Sequence, residues 1–137
     1  MSGWINYYAR NNDKIKSVRP QGYIIFMDNV EVPFHPRYKD ALKKWVESKD
    51  LSITLEREPN NPVDTNAIKI IGLSKGFFGT KRRHIGYVEK AIAKKIVEKD
   101  FADKVYGELR EIGINPDGEW IGVRYHLCGL KEFKSKW

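Results

Sequence analysis

The spacing of apolar and polar residues changes several times along this chain, and each change predicts an element. Leu51, Ile53 and Leu55 alternate with Ser52, Thr54 and Glu56, the period of a strand with one face in a core, and Ala67, Ile68, Ile70 and Ile71 predict a second strand. Upstream, Tyr23-Ile24-Ile25-Phe26-Met27 is a continuous apolar run extended by Val30 and Val32, as expected of a buried strand. Tyr38, Ala41, Leu42, Trp45 and Val46 follow at the spacing of one helix face, with Pro36 where a first turn tolerates proline. The opposite side of that helix carries Arg37, Lys39, Lys43 and Lys44, a pattern that usually means a solvated face and less often a phosphate contact. A second helix is predicted over residues 89–99 from Ala91, Ile92, Ile96 and Val97, with Lys90 and Lys94 one turn apart on it.

Residues 72–80, with three glycines and Phe77-Phe78, read as a flexible hairpin tip leaving through the basic run Lys81-Arg82-Arg83-His84 into a short strand at 85–88. Val105, Gly107 and Leu109 alternate with their neighbours, and Asn115-Pro116-Asp117-Gly118 turns the chain. In the return strand Ile121, Val123, Tyr125 and Leu127 define a core face, leaving Gly122, Arg124, His126 and Cys128 on a polar one. About six strands with two segregated helices argue for α+β or a decorated barrel over a parallel sheet.

The segment Glu56-Arg57-Glu58-Pro59-Asn60-Asn61-Pro62-Val63-Asp64-Thr65-Asn66-Ala67-Ile68 is turn chemistry between two strands. Two prolines fix φ, and Asn60, Asn61 and Asp64 can bond nearby amides, so the loop can hold its shape without a core of its own. The pattern E-P-x-N-P-x-D-x-N-A-I, followed by Ile85-Gly86-Tyr87-Val88 and a helix, resembles the HIRAN domain over roughly residues 26 to 125. That family is known from the N-termini of DNA-repair helicases and from stand-alone bacterial and phage proteins.

The resemblance implies a mainly β, OB-like β-barrel of about six antiparallel strands with two helices. It also implies a DNA-binding function, directed at single-stranded or frayed DNA and its 3′ end, in repair or replication-fork processing. The domain would span residues 21–130, between an appendage at 1–20 and a tail at 131–137. By the same resemblance Asp64 meets a terminal 3′ hydroxyl, an assignment that competes with a simple Asx-turn role. Val63 stands where end-gripping members often carry tyrosine, so a stacking surface is missing there. Phe34 falls near another aromatic region of the family, with a core role as the alternative. Tyr87 and Lys90 match positions along the family's DNA groove, where Lys90 would contact a phosphate and Tyr87 would donate to a phosphate or stack. Arg82 and Arg83, with Lys81, are candidate backbone contacts without a residue-level match, and Lys94 shares the helix face of Lys90. Gly86 suits a close backbone approach.

Charge adds an independent indication. The chain of 137 residues carries 25 Lys and Arg against 18 Asp and Glu, a formal net charge of +7 that favours polyanionic partners. With 41% hydrophobic residues it can fill one core. The lone Cys128 offers no internal disulfide, there is no apolar run of membrane-spanning length, and the first residues do not resemble a secretory signal. The expectation is a cytoplasmic protein, nucleoid-associated if bacterial, with no cofactor and no metal, serving a helicase or nuclease on another chain. His35, His84 and His126 lack ligand spacing, and no nucleophile has a recognisable setting, so no enzyme activity is expected. Two rival readings stay open: a protein-interaction barrel, and a metal-dependent nuclease built from Asp28, Asp40, Glu47 and Lys49, because Glu47-Ser48-Lys49 has the E-x-K form.

Overall fold

A computed structural model describes residues 9–10, 12–115, 117 and 119–137. The apolar runs become strands and the helical periodicities become helices, in the order β1 (Ala9–Arg10), β2 (Tyr23–Glu31), α1 (Lys39–Val46), β3 (Ser52–Arg57), β4 (Ile68–Gly76), β5 (Gly79–Tyr87), α2 (Lys90–Glu98), β6 (Val105–Ile114) and β7 (Ile121–Leu130). Short 3-10 turns at Pro36–Tyr38 and Lys131–Lys136 precede α1 and follow β7. The fold is therefore mainly β with two α-helices, and each strand pair is antiparallel.

The strands form two sheets, one ordered β1-β6-β7-β2 and one ordered β3-β4-β5. No ladder among the described residues closes them into one barrel. The sheets meet face to face: Ile53 and Leu55 of β3 lie over Gly107 of β6, and Ile53, Ile70, Ile85, Leu109, Ile112, Tyr125 and Leu127 share one core. Helix α1 closes one side of it. Trp45 is fully buried and donates its indole N–H to the Leu73 carbonyl at 3.0 Å. Its ring lies so close to β4 that a Cβ on Gly72 would sit 2.9 Å from it.

Three expectations change. Residues 72–80 are mostly ladder: β4 runs to Gly76 and β5 starts at Gly79, paired all the way, so the tip shrinks to Phe77-Phe78. Backbone pairing overrides the flexibility that the three glycines suggest. The expected polar face of β7 is not open to solvent, because Arg124 and His126 are each 8% exposed and Cys128 is fully buried. Arg124 is held by Glu31 at 3.1 Å and Glu111 at 3.6 Å, and His126 Nδ1 accepts the Asn29 N–H at 3.1 Å. The short strand at 85–88 becomes the end of the nine-residue β5.

The neighbouring chain segments finish the large sheet. Where β1 stops, Asn12 Oδ1 accepts the Ile112 N–H at 3.0 Å and Ser17 Oγ accepts the Leu109 N–H at 2.9 Å, so side chains satisfy an edge that would otherwise template further pairing. Arg19 then reaches Glu108 at 3.0 Å. At the other end, Trp137 packs against both Phe26 and Phe101 in a tilted three-ring cluster, at centroid distances of 5.8 and 5.9 Å.

The Trp45–Gly72 contact yields a stability test. Gly72→Ala forces the buried indole or the strand to move, and overpacking of this kind costs about 1–3 kcal/mol. Urea unfolding should show a lower midpoint at unchanged slope, and an unaltered midpoint would show that the ring yields freely.

Candidate nucleic-acid interface

The loop between β3 and β4 holds itself in shape. Asn61 Oδ1 accepts the N–H groups of Val63 and Asp64 at 2.8 and 2.9 Å, and Asp64 Oδ1 accepts the Asn66 N–H at 2.9 Å. Backbone bonds from Glu58 N–H to Ala67 O (2.9 Å) and from Ala67 N–H to Asp64 O (3.0 Å) close its base. Local polar side chains thus replace a core, as the Asn, Asp and Pro content leads one to expect.

A single carboxylate fastens this loop to the end of β5. Glu58 Oε1 accepts the Tyr87 hydroxyl at 2.6 Å and the Asn61 side-chain amide at 2.7 Å. These bonds hold the Glu58 carboxyl below the usual glutamate range, the Tyr87 bond contributing most, and the same pairing pushes the Tyr87 phenol up to about 12. Tyr87 is therefore neutral, its proton is committed to Glu58, and what it offers a ligand is its ring.

Behind Tyr87 stands a ring cluster, with His84 at 4.8 Å and Tyr38 at 6.2 Å between centroids. Burial lowers the His84 pKa, and Nε2 faces the Gly86 carbonyl at 2.9 Å, which fixes the Nε2–H tautomer of a neutral imidazole. Gly86 permits the close approach expected of it: a Cβ there would lie 2.8 Å from Val32.

These elements frame an open groove. One half, of about 310 Å³, is lined by Arg37, Asn61, Val63, Asp64, Tyr87 and Lys90 among others. The adjoining half, of about 320 Å³, adds Phe34, His35 and Tyr38 while sharing Arg37, Tyr87 and Lys90. Lys90 opens α2, whose N-cap is the Glu89 carboxylate accepting the Ala91 N–H at 3.0 Å. Asp64 has spent only Oδ1 on its own turn, and Oδ2 is free among the described residues. The groove therefore presents the free Asp64 oxygen in one half, the Glu89 carboxylate in the other, and Arg37, Lys90 and the rings of Phe34, Tyr38 and Tyr87 around them.

Of the residues singled out from the sequence, Asp64, Val63, Tyr87, Lys90 and Phe34 come together here. The remaining three lie elsewhere. Lys94 is exposed further along α2 and does not line the groove, Arg82 is ion-paired with Glu56 on the small sheet, and Arg83 sits half-buried at the middle of β5. Val63 is 91% exposed and gives the rim no ring. The sequence reading favours a solvated helix face for Arg37 and gives a phosphate contact only as the lesser alternative, yet Arg37 lines both halves of the groove. Arg37 instead belongs to the turn before α1, with its backbone N–H bonded to His35 Nδ1 at 3.1 Å and its guanidinium 5.3 Å from the Tyr38 ring centroid. Periodicity could not reveal this, since residues of a 3-10 turn do not follow the helix face.

Glu58 supplies a test of the junction. Because its carboxyl ionises at lower pH in the folded protein than in the unfolded chain, its bonds stabilise fully above the ordinary glutamate range and are lost as pH falls through the lowered value. Tyr87→Phe should move the Glu58 titration back towards the ordinary range, read by carboxyl-carbon NMR, with the remaining shift due first to Asn61 and then to the charge of Lys69. An identical titration in parent and variant would remove Tyr87 as the anchor.

Comparison with known proteins adds three findings. Residues 37–99 match the family model of the HIRAN domain, a span that contains the loop, β4, β5 and both helices. No curated protein sequence matches the chain. Among solved structures, the crystal structure of the HIRAN domain of human HLTF aligns with 86% of this chain and 88% of its own, at 18% identity and a TM-score of 0.43.

Proposed function

We propose, on the premise that this chain carries a HIRAN domain over residues 37–99, that it is a DNA-binding module engaging single-stranded or frayed ends, with the 3′ terminus in the groove under the Glu58–Ala67 loop. The observation that carries this reading is the charge pattern of the groove: the unspent carboxylate oxygen of Asp64 lines the same half as Arg37 and Lys90, with the Glu89 carboxylate in the adjoining half. Guanidinium and ammonium groups attract backbone phosphate. A carboxylate in the same groove repels a phosphate placed against it but accepts a hydrogen bond from a hydroxyl. The combination favours a nucleotide whose sugar ends in a free hydroxyl over one continued by a phosphodiester. Phe34 and the ring of Tyr87 offer faces on which bases can stack, which partly compensates for the bare rim at Val63. DNA repair or fork processing is the setting in which such ends arise.

The carboxylate is tested without disturbing the loop by Asp64→Asn, which keeps an acceptor for the Asn66 N–H and removes the charge. The parent should bind a 3′-hydroxyl strand more tightly than a 3′-phosphate strand in fluorescence anisotropy. The variant should bind both alike, with overall affinity within a few-fold. Equal binding by the parent would sink the end-recognition role.

The cations are tested by salt. Lys90→Ala and Arg37→Ala should each weaken all strands together and flatten the slope of log affinity against log salt by about 0.7, one phosphate's worth on a single strand. An unchanged slope would place that side chain outside the interface.

A further inference from the structure

The tip of the β4–β5 hairpin has no role in the fold. Gly76 pairs with Gly79, so Phe77 and Phe78 are the whole two-residue loop. Such loops ordinarily favour Asn, Asp and Gly. Here the left-handed position is taken by Gly79, at φ +132, and neither phenylalanine has positive φ. The residues are 95% and 97% exposed, and their rings meet edge to face at 4.7 Å. Phenylalanine carries roughly 150–250 Å² of surface, so the pair forms a compact apolar knob of the size that marks an interaction site.

Its surroundings indicate the partner. Lys75, Lys81, Arg82 and Arg83 flank the knob within five residues on either side. Among the described residues Lys75, Lys81 and Arg83 have no carboxylate at ion-pairing distance, and Arg82 has only the exposed Glu56, a pairing that contributes little and exchanges easily. Strand β5 joins the two places directly, with Tyr87 of the groove at one end and Phe78 just beyond the other. Between them a chain of side-chain contacts runs from Tyr87 through Glu58, Lys69 and Glu56 to Arg82, so both acids on this path already face a cation. Nine residues of strand span about 30 Å, or about nine nucleotides of a stacked strand at ~3.4 Å each.

We propose that Phe77 and Phe78 form a second nucleic-acid contact, an aromatic knob that stacks on or wedges between bases of the same DNA strand whose end occupies the groove, with Lys75, Lys81 and Arg83 on its phosphates. The inference rests on the DNA-binding reading above. Apolar side chains inserted between bases, with cations on the flanking backbone, are an established way to hold and distort DNA, and aromatic stacking tolerates any base sequence. The contact gives the module a strand-length requirement that the groove alone lacks.

The test compares the parent with the double variant Phe77→Ser/Phe78→Ser, whose solvent-exposed positions leave the core intact, using 3′-hydroxyl single strands of about 4 and about 16 nucleotides. Parent and variant should bind the short strand equally. The parent should bind the long one more tightly, and the variant should lose about 5- to 30-fold on the long strand alone. A 2-aminopurine scanned along the long strand should show a quenched position several nucleotides from the 3′ end in the parent and not in the variant. Equal affinities of parent and variant for the long strand, or the same loss on both strands, would overturn the knob while leaving the groove standing. Failure of the parent to bind either strand would remove the DNA reading itself. Binding of phosphatidylserine vesicles by the parent and not the variant, with long-strand affinity unchanged, would overturn the proposal in favour of a membrane contact.

Discussion

One oxygen atom, Glu58 Oε1, ties the polar loop to the packed part of the molecule. It receives the Tyr87 hydroxyl from the end of β5 and the Asn61 amide from within the loop. Asn61 in turn uses its own oxygen to fix the backbone at Val63 and Asp64. A carboxylate accepting two short bonds stays ionised and holds both donors in place, so the position of Asp64 relative to Tyr87, Arg37 and Lys90 follows from this junction. Were it absent, the loop would still be a turn, and its side-chain link to Tyr87 would reduce to the 3.5 Å contact from the Asn61 amide to the Tyr87 hydroxyl.

The rest of the groove depends on how closely the layers approach. The absence of a side chain at Gly86 lets Val32 pack directly on the end of β5, which brings the segment after β2 with Phe34 and Arg37 beside Tyr87. The neutral His84 and the Tyr38 ring, 4.7 Å apart, pack behind Tyr87, so the charged groups of the groove are Arg37, Asp64, Glu89 and Lys90. Charge is thereby placed where a backbone would run, and stacking surface where bases would turn in.

The small sheet extends this arrangement beyond the groove. Its hairpin is paired to the last residue before the tip, which leaves the two phenylalanine side chains exposed beyond the paired residues. A ribbon with the groove at one end and the aromatic pair at the other is the geometry on which the proposed second contact rests. The large sheet is closed off instead, with its edge capped by Asn12 and Ser17 and the polar side chains of β7 paired internally. No helix among the described residues is long and apolar enough to cross a membrane.

Much of this was legible in the residues taken in order. Alternation at 51–56, helix spacing at 38–46 and 91–97, and the proline- and asparagine-rich turn are local signals, and their physical causes, strand pleat, helix pitch and side-chain bonds to the next few amides, act over a few residues. The same locality predicts that Asp64 caps its own turn, which it does with one of its two oxygens. Only the tertiary structure decided what the other oxygen faces. Arg37 joins the site because a proline-led turn aims it away from the helix face, and Lys94, on the helix itself, is left outside. The burial of Arg124 and His126 depends on partners from distant segments, Glu31 and Asn29, and strand alternation cannot distinguish a polar face in water from one with buried partners. Likewise the three glycines of 72–80 suggest mobility in isolation, and cross-strand hydrogen bonding converts them into a paired ribbon. Residue order set the elements and the chemistry they carry; long-range packing set which of those chemistries meet.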